Sequence, residues 1–236
     1  MAKEQSRQSA KQRFISFIER KILSGELTVG QKLPPERELA LHSGISRVTV
    51  HAALVELATK NVLHIVPRQG TFVSDFKKEG TLELYDALIK YTGRIDGDLL
   101  NSLIEFREII ETAAAEMAAE RHMPKDIEKL KGLLLREQAA QTADEAATLD
   151  YAMHLEITKA AGNIVLPMAI RSIEAMYMSL VKTFYEVNKD RATVYAFHEQ
   201  LIAAIESGDA PKARRIMKTM LFEGGEALRH HYDTLK

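Results

Sequence analysis

Residues 33–57 read LPPERELALHSGISRVTVHAALVEL, and this stretch decides the fold. Pro34 and Pro35 can open a helix, because proline fixes φ near the helical value and lacks only an N–H that a first turn leaves unpaired. A short helix over 36–42 is therefore expected, and Gly44 breaks it. Ser46 can cap a second helix with its side-chain oxygen, and Val50, Leu54 and Leu57 share one face of that helix at spacings of four and three. Two helices joined by a short glycine-containing turn form the geometry that lays the second helix in the DNA major groove.

Upstream, Phe14, Phe17, Ile18 and Ile22 give amphipathic spacing to a helix over 9–24, and Gly25 stands at its stop. Downstream, residues 61–74 change period. Val62, Leu63, Ile65 and Val66 are strand-like, Pro67-Arg68-Gln69-Gly70 is turn-like, and Thr71-Phe72-Val73 favours β again. Three helices and a hairpin make a winged helix-turn-helix over residues 1–76. The polar run at 77–81 reads as a linker. From 82 to 236 there is hardly any strand signal, so the fold class is mainly α, with an all-α helical bundle following the winged domain. Its helices are expected over 82–91, 98–122, 124–141, 143–161, 164–188, 191–207 and 210–232, divided by Gly93, Met123-Pro124, Gly162-Asn163 and Gly208-Asp209.

Composition narrows the function classes. The chain of 236 residues is 46% hydrophobic and 28% charged, enough to bury a sizeable core. No apolar run is long enough for a membrane span, and the start lacks the apolar stretch of a signal peptide, so a cytoplasmic protein without membrane contact is expected. The absence of cysteine excludes disulfides, thiolate metal sites and a cysteine nucleophile. The net charge of -1 hides a division: residues 1–78 hold 13 Lys+Arg against 7 Asp+Glu, a balance of +6, and the remainder holds 19 against 26, a balance of -7. A positive N-terminal part suits phosphate contact, although solvated proteins also show such splits.

The run ILSGELTVGQKLPPERELALHSGISRVTVHAALVELATKNVLHIVPRQGTFV resembles the DNA-binding domain of the GntR family of bacterial transcription regulators from its first helix to the wing glycine. The resemblance implies DNA contacts from Arg37, Ser46, Arg47, Thr49 and Gly70. His51 departs from the family pattern, which has arginine there. Losing that fork-shaped donor alters guanine reading. On the residues alone, Arg47, Thr49 and His51 crowd the turns that reach base edges and Arg37 and Ser46 suit phosphate, the rival role of each arginine being a solvated surface charge.

Three further runs, LIEFREIIETAAAEMAAER, DYAMHLEITKAAGN and FHEQLIAAIESGDAPKARRIMKTML, resemble in order the FCD effector domain of the FadR-like branch of that family. The resemblance implies a bundle around a pocket that takes small carboxylates and commonly one divalent metal ion, held by one aspartate and three histidines. Asp150, His154 and His198 match three of these ligands. Met220 stands about where the fourth histidine belongs, and its soft thioether is a weak ligand for zinc, nickel or manganese. Asp150 and His154 are four apart, so one helix face carries both, with Ile157 and Ala161 continuing it inward. A three-ligand metal site and a metal-free polar pocket both remain open. Arg107 matches the carboxylate-binding arginine, its rival role being an intrahelical pair with Glu111. Tyr177, in a methionine-tyrosine run better suited to packing, could line the same pocket.

The expected function is a metabolite-responsive transcription regulator, a repressor acting as a homodimer on pseudo-palindromic operator DNA, with a small organic acid as effector. Two rivals are a metal-dependent hydrolase using the Asp/His pocket and an architectural DNA-binding protein without effector. No phosphate loop, nucleophile elbow or HExxH motif favours the enzyme.

Overall fold

A computed structural model describes residues 9–234 apart from 83, 87, 88, 90–94, 96 and 189. The chain forms two compact units, residues 1–88 and 89–236.

The first unit is a winged helix-turn-helix. Helix α1 (Ala10–Leu23) starts on Ser9, whose side chain accepts the Gln12 N–H at 3.2 Å. It buries Phe14, Ile15, Ile18 and Ile22, whereas Phe17, expected on that stripe, is 38% exposed with Lys21 above its ring. Helix α2 (Glu36–Ser43) begins after Pro35 and carries Glu36 and Glu38 in its first turn, where the helix dipole favours negative charge. Gly44 ends it at φ 67°, ψ 19°, a left-handed cap that costs a residue with a Cβ more than glycine. Helix α3 (Arg47–Thr59) buries Val50, Ala53, Leu54 and Leu57 against α1 and α2. Complete burial of Leu54 alone is worth roughly 1.5–3 kcal/mol.

Ser46 caps α3 through the Thr49 N–H, accepted at 3.1 Å. Ser46→Ala removes that partner and is expected to cost about 1 kcal/mol, read as a lower urea midpoint with an unchanged m-value.

Strands β1 (Leu63–Val66) and β2 (Gly70–Val73) pair antiparallel in the register Leu63↔Val73 to Val66↔Gly70. The turn between them closes through Gln69 N–H to Val66 C=O at 3.0 Å, with Arg68 at φ 64° in the position where glycine or asparagine is usual. Lys32 adds a bridge to Phe72, so the wing packs back onto the start of the helix-turn-helix segment. Residues 77–79 of the stretch read as linker belong to one helical turn, α4 (Phe76–Glu79), in which the Lys78 and Glu79 N–H groups donate to the Asp75 carbonyl. The helix expected over 82–91 and the break at Gly93 fall across 83, 87, 88 and 90–94, outside the described residues.

The second unit is a helical bundle of α5 (Gly97–Arg121), α6 (Pro124–Gln138), α7 (Ala143–Ala160), α8 (Val165–Ser172), α9 (Glu174–Val187), α10 (Arg191–Glu206) and α11 (Ala210–Asp233). Alanines 114, 115, 118 and 119 give α5 a small inner face, all at 3% exposure or less, which lets the helices around it approach closely. The longest packing runs between α5 and α11, while α7 lies against α5, α6 and α9. A capping box fixes the start of α7: Thr142 accepts from the Glu145 N–H at 3.1 Å and Glu145 accepts from the Thr142 N–H at 3.1 Å.

One expected helix, 164–188, is two. It breaks at Ile173 (φ −115°, ψ 19°), which is 1% exposed. Neither glycine nor proline marks the break. Ser172 Oγ donates back to the Ala169 carbonyl at 2.7 Å, the side-chain competition with the helix ladder that bends helices.

Candidate functional site

A polar cluster lies inside the bundle, built from five helices. Helix α5 contributes Arg107 and Glu111, α6 Glu137, α7 Asp150 and His154, α9 Tyr177 and Tyr185, and α10 His198; every one of them is buried. Asp150, His154 and His198 each offer one ligand atom within 4.8 Å of the others.

The two imidazoles are held alike. His154 Nδ1 donates to Glu111 Oε2, and His198 Nδ1 donates to Glu137 Oε2 at 2.7 Å. A carboxylate only accepts, so each Nδ1 carries a hydrogen and each Nε2 is left facing the centre, with the two rings 5.5 Å apart. Tyr185 Oη donates towards Glu137 Oε1 at 2.8 Å and Asp150 Oδ2 at 3.2 Å, steadying the third carboxylate. The other Asp150 oxygen, Oδ1, and His198 Nε2 are both buried without a hydrogen-bond partner, and His154 Nε2 is 3.8 Å from that same Oδ1. Buried polar atoms are rarely left so.

Charge explains the titration of these groups. Burial pushes the Asp150 carboxyl up, with His154 and His198 only partly offsetting it. Burial also raises Glu111, but Arg107 and His154 outweigh it and hold that carboxyl at about 2. For His198, burial disfavours the imidazolium, yet Glu137 overcomes this and its pKa rises.

Arg107 makes the intrahelical pair with Glu111 that was weighed for it, and it also borders a cavity. Its Nε donates to Glu111 Oε1 at 2.7 Å, its Nη2 donates to Tyr177 Oη at 2.7 Å, and the guanidinium stacks 4.0 Å from the Tyr177 ring centroid. It also lines a cavity of about 270 Å³ together with Asp150, His154, Phe184, Phe197 and Met220. Tyr177 is fully buried behind the guanidinium and not among the cavity-lining residues. Met220 is part of that wall, and among the described residues Asp150, His154 and His198 form the cluster with metal-ligand spacing.

Glu111, Glu137 and Tyr185 are parts of the site that spacing did not disclose as such. The signal for Glu137 was present: it continues the Ile127, Leu130, Leu134 stripe of α6, and a glutamate on an apolar stripe needs a buried partner.

On the first unit, Arg37, Ser46, Arg47 and His51 are exposed and Thr49 is half-buried. Arg47, Thr49 and His51 all fall in the first two turns of α3. Ser46 is occupied as cap, and its Oγ lies 2.8 Å from Thr49 Oγ1. Glu36 was not foreseen here. Its Oε1 accepts from His51 Nδ1 at 2.7 Å and its Oε2 from Arg47 Nε at 3.5 Å. Gly70 begins β2 at φ 127°, where a Cβ would sit 2.8 Å from Lys32 Cε, so backbone geometry alone already favours glycine at this position.

Comparison with known proteins places both units. Residues 11–73 match the model of bacterial regulatory proteins of the gntR family, and residues 102–222 match the FCD domain. The chain belongs to the GntR family, in its FCD-containing branch. It is similar to the putative L-lactate dehydrogenase operon regulatory protein of Escherichia coli, 32% identical over 199 residues that cover 83% of this chain and 77% of that one. The fatty acid metabolism regulator protein of Salmonella paratyphi C is 24% identical over 210 residues, covering 89% and 87%. Among solved structures, that of Lar, which controls expression of the Listeria monocytogenes agr system, shares the fold at TM-score 0.63 and 19% identity, covering 94% of this chain and 98% of that one. This GntR chain is accordingly a DNA-binding transcription regulator, and its relatives are regulators, not enzymes. Among the described residues no helix is long and apolar enough to cross a membrane.

Proposed function

We propose that this GntR regulator is a homodimeric repressor whose operator affinity changes when a small carboxylate binds beside Arg107. The observation that carries the reading is the cavity in which a buried, pre-oriented guanidinium adjoins Asp150 and His154. Two guanidinium N–H groups are committed to Glu111 and Tyr177, and those that remain can donate to a carboxylate. The ligand acts through its different affinity for the states of the dimer that fit and do not fit the operator. In the DNA-bound state, Arg47, Thr49 and His51 meet base edges, with Arg37, the Ser46 region and the wing near Gly70 on the backbone.

Asp150, His154 and His198 fit one divalent ion. Two of their buried polar atoms lack a partner, both histidines have Nδ1 turned away on a carboxylate, and the nitrogen and oxygen donors suit zinc, nickel or manganese. Three buried carboxylates, Glu111, Glu137 and Asp150, face a single guanidinium, and a divalent cation would supply further positive charge to that cluster. Such an ion, held by Asp150, His154 and His198, would supply a Lewis acid to the pocket, while Arg107 would orient the effector carboxylate.

A homodimer sets two α3 helices about 34 Å apart, one DNA turn, and so meets a pseudo-palindromic site. Full-length protein is expected to bind a palindromic fragment from a promoter it regulates at least about 10³-fold more tightly than random DNA at physiological salt. A small carboxylate should lower that ratio in gel-shift titrations. Equal affinity for both DNAs would overturn the function.

A further inference from the structure

Sequence choice by α3 falls to the groups in its first turns. One of these, His51, is held from outside its own helix. Its Nδ1 lies 2.7 Å from Glu36 Oε1 at the start of α2. A carboxylate cannot donate, so Nδ1 carries the hydrogen, and the ring atom left for DNA is Nε2. In that arrangement a neutral ring offers a lone pair at Nε2, whereas an imidazolium offers an N–H there. The two forms complement opposite base edges. Guanine O6 and N7 accept, while the amino groups of cytosine and adenine donate.

The surroundings leave this choice open to protonation. The His51 side chain is 61% exposed and the Glu36 side chain 28%, so the ring is accessible and the carboxylate is partly covered. The charged groups at the ring are Glu36 from α2 and Arg47, one turn back on α3 and sharing that carboxylate at 3.5 Å. From α1, Lys11 reaches Glu56 at 2.6 Å, more than a turn further along α3. The hydrogen bond from His51 lowers the Glu36 carboxyl against the upward push of burial, which keeps Glu36 an acceptor at neutral pH.

We propose that Glu36 and His51 form a base-reading pair: Glu36 fixes the ring tautomer, and the protonation of His51 decides whether α3 selects guanine or a donor base at one base pair of each half-site. Arginine at this position would donate at every physiological pH. Histidine makes the same contact conditional, because an imidazole can gain or lose the proton that a guanidinium keeps. Glu36 is the positioning residue and His51 the reading residue. The proposal rests on α3 being the helix that reads the operator.

The test selects duplexes from a randomised DNA pool with the full-length protein at about pH 6 and about pH 8, on either side of the ordinary histidine pKa. Wild type should keep the rest of its motif while one position per half-site shifts from guanine towards cytosine or adenine, by about fivefold, the low end for one base-edge contact. His51→Arg should retain guanine at both pH values. Glu36→Gln, whose amide can accept or donate at Nδ1, releases the tautomer and should flatten the shift. The same base at both pH values in wild type overturns the proposal, as does an undiminished shift in either variant. No enriched motif at either pH would overturn the reading of α3 as well.

Discussion

Glu137→Ala is expected to lower the stability of the bundle by about 3–5 kcal/mol, the usual penalty for breaking a buried charged pair. The residue sits at the end of α6 with no exposed surface, and its two oxygens take His198 Nδ1 at 2.7 Å and Tyr185 Oη at 2.8 Å. Removing the carboxylate leaves one imidazole N–H buried without a partner and Tyr185 with only the longer bond to Asp150 at 3.2 Å. Urea unfolding of metal-free protein measures this loss. The same substitution should weaken zinc binding about 10–100-fold in a chelator competition, because a carboxylate behind a ligating histidine fixes its orientation and raises its basicity. Loss of stability with unchanged zinc affinity would remove His198 from the ligand set while leaving the packing role of Glu137 intact.

The division between what was legible in the sequence and what was not follows the range of the interactions. Helix limits were marked locally. Gly44, Gly162 and Gly208 take positive φ values that other residues avoid, and Pro124 opens α6 where its missing N–H costs nothing. The break at Ile173 was invisible because neither glycine nor proline marks it in the sequence. Within the site, Asp150 and His154 share a helix face through simple periodicity. Glu137 meets His198 across 61 positions, and Glu36 meets His51 across 15, and no local pattern encodes such pairs. Family resemblance supplied Arg107 and His198, but it could not say that Arg107 is shared between its own helix, Tyr177 and the cavity.

That sharing makes Arg107 the second large effect. Arg107→Ala is expected to cost about 3–5 kcal/mol and to abolish the response of operator binding to carboxylates. The stability loss arises because Glu111, only 1% exposed, keeps its charge and loses its guanidinium, while Tyr177 Oη loses the donor at 2.7 Å. Two further variants separate structure from recognition. Arg107→Lys retains a cation near Glu111 but cannot present parallel N–H groups, so it should hold most of the stability and lose most of the carboxylate affinity. Arg107→Met combined with Glu111→Gln removes both charges, and the glutamine oxygen can still accept from His154 Nδ1. Because the two residues are in contact, the double variant should be destabilised by less than the sum of its parts, with a coupling of about 1–3 kcal/mol in urea unfolding. Gel-shift titration with a panel of small monocarboxylates then tests recognition on a folded background. If operator release survived in the double variant, the guanidinium would belong to the bundle's electrostatics alone, and effector binding would have to rest on the Asp150, His154 and His198 cluster.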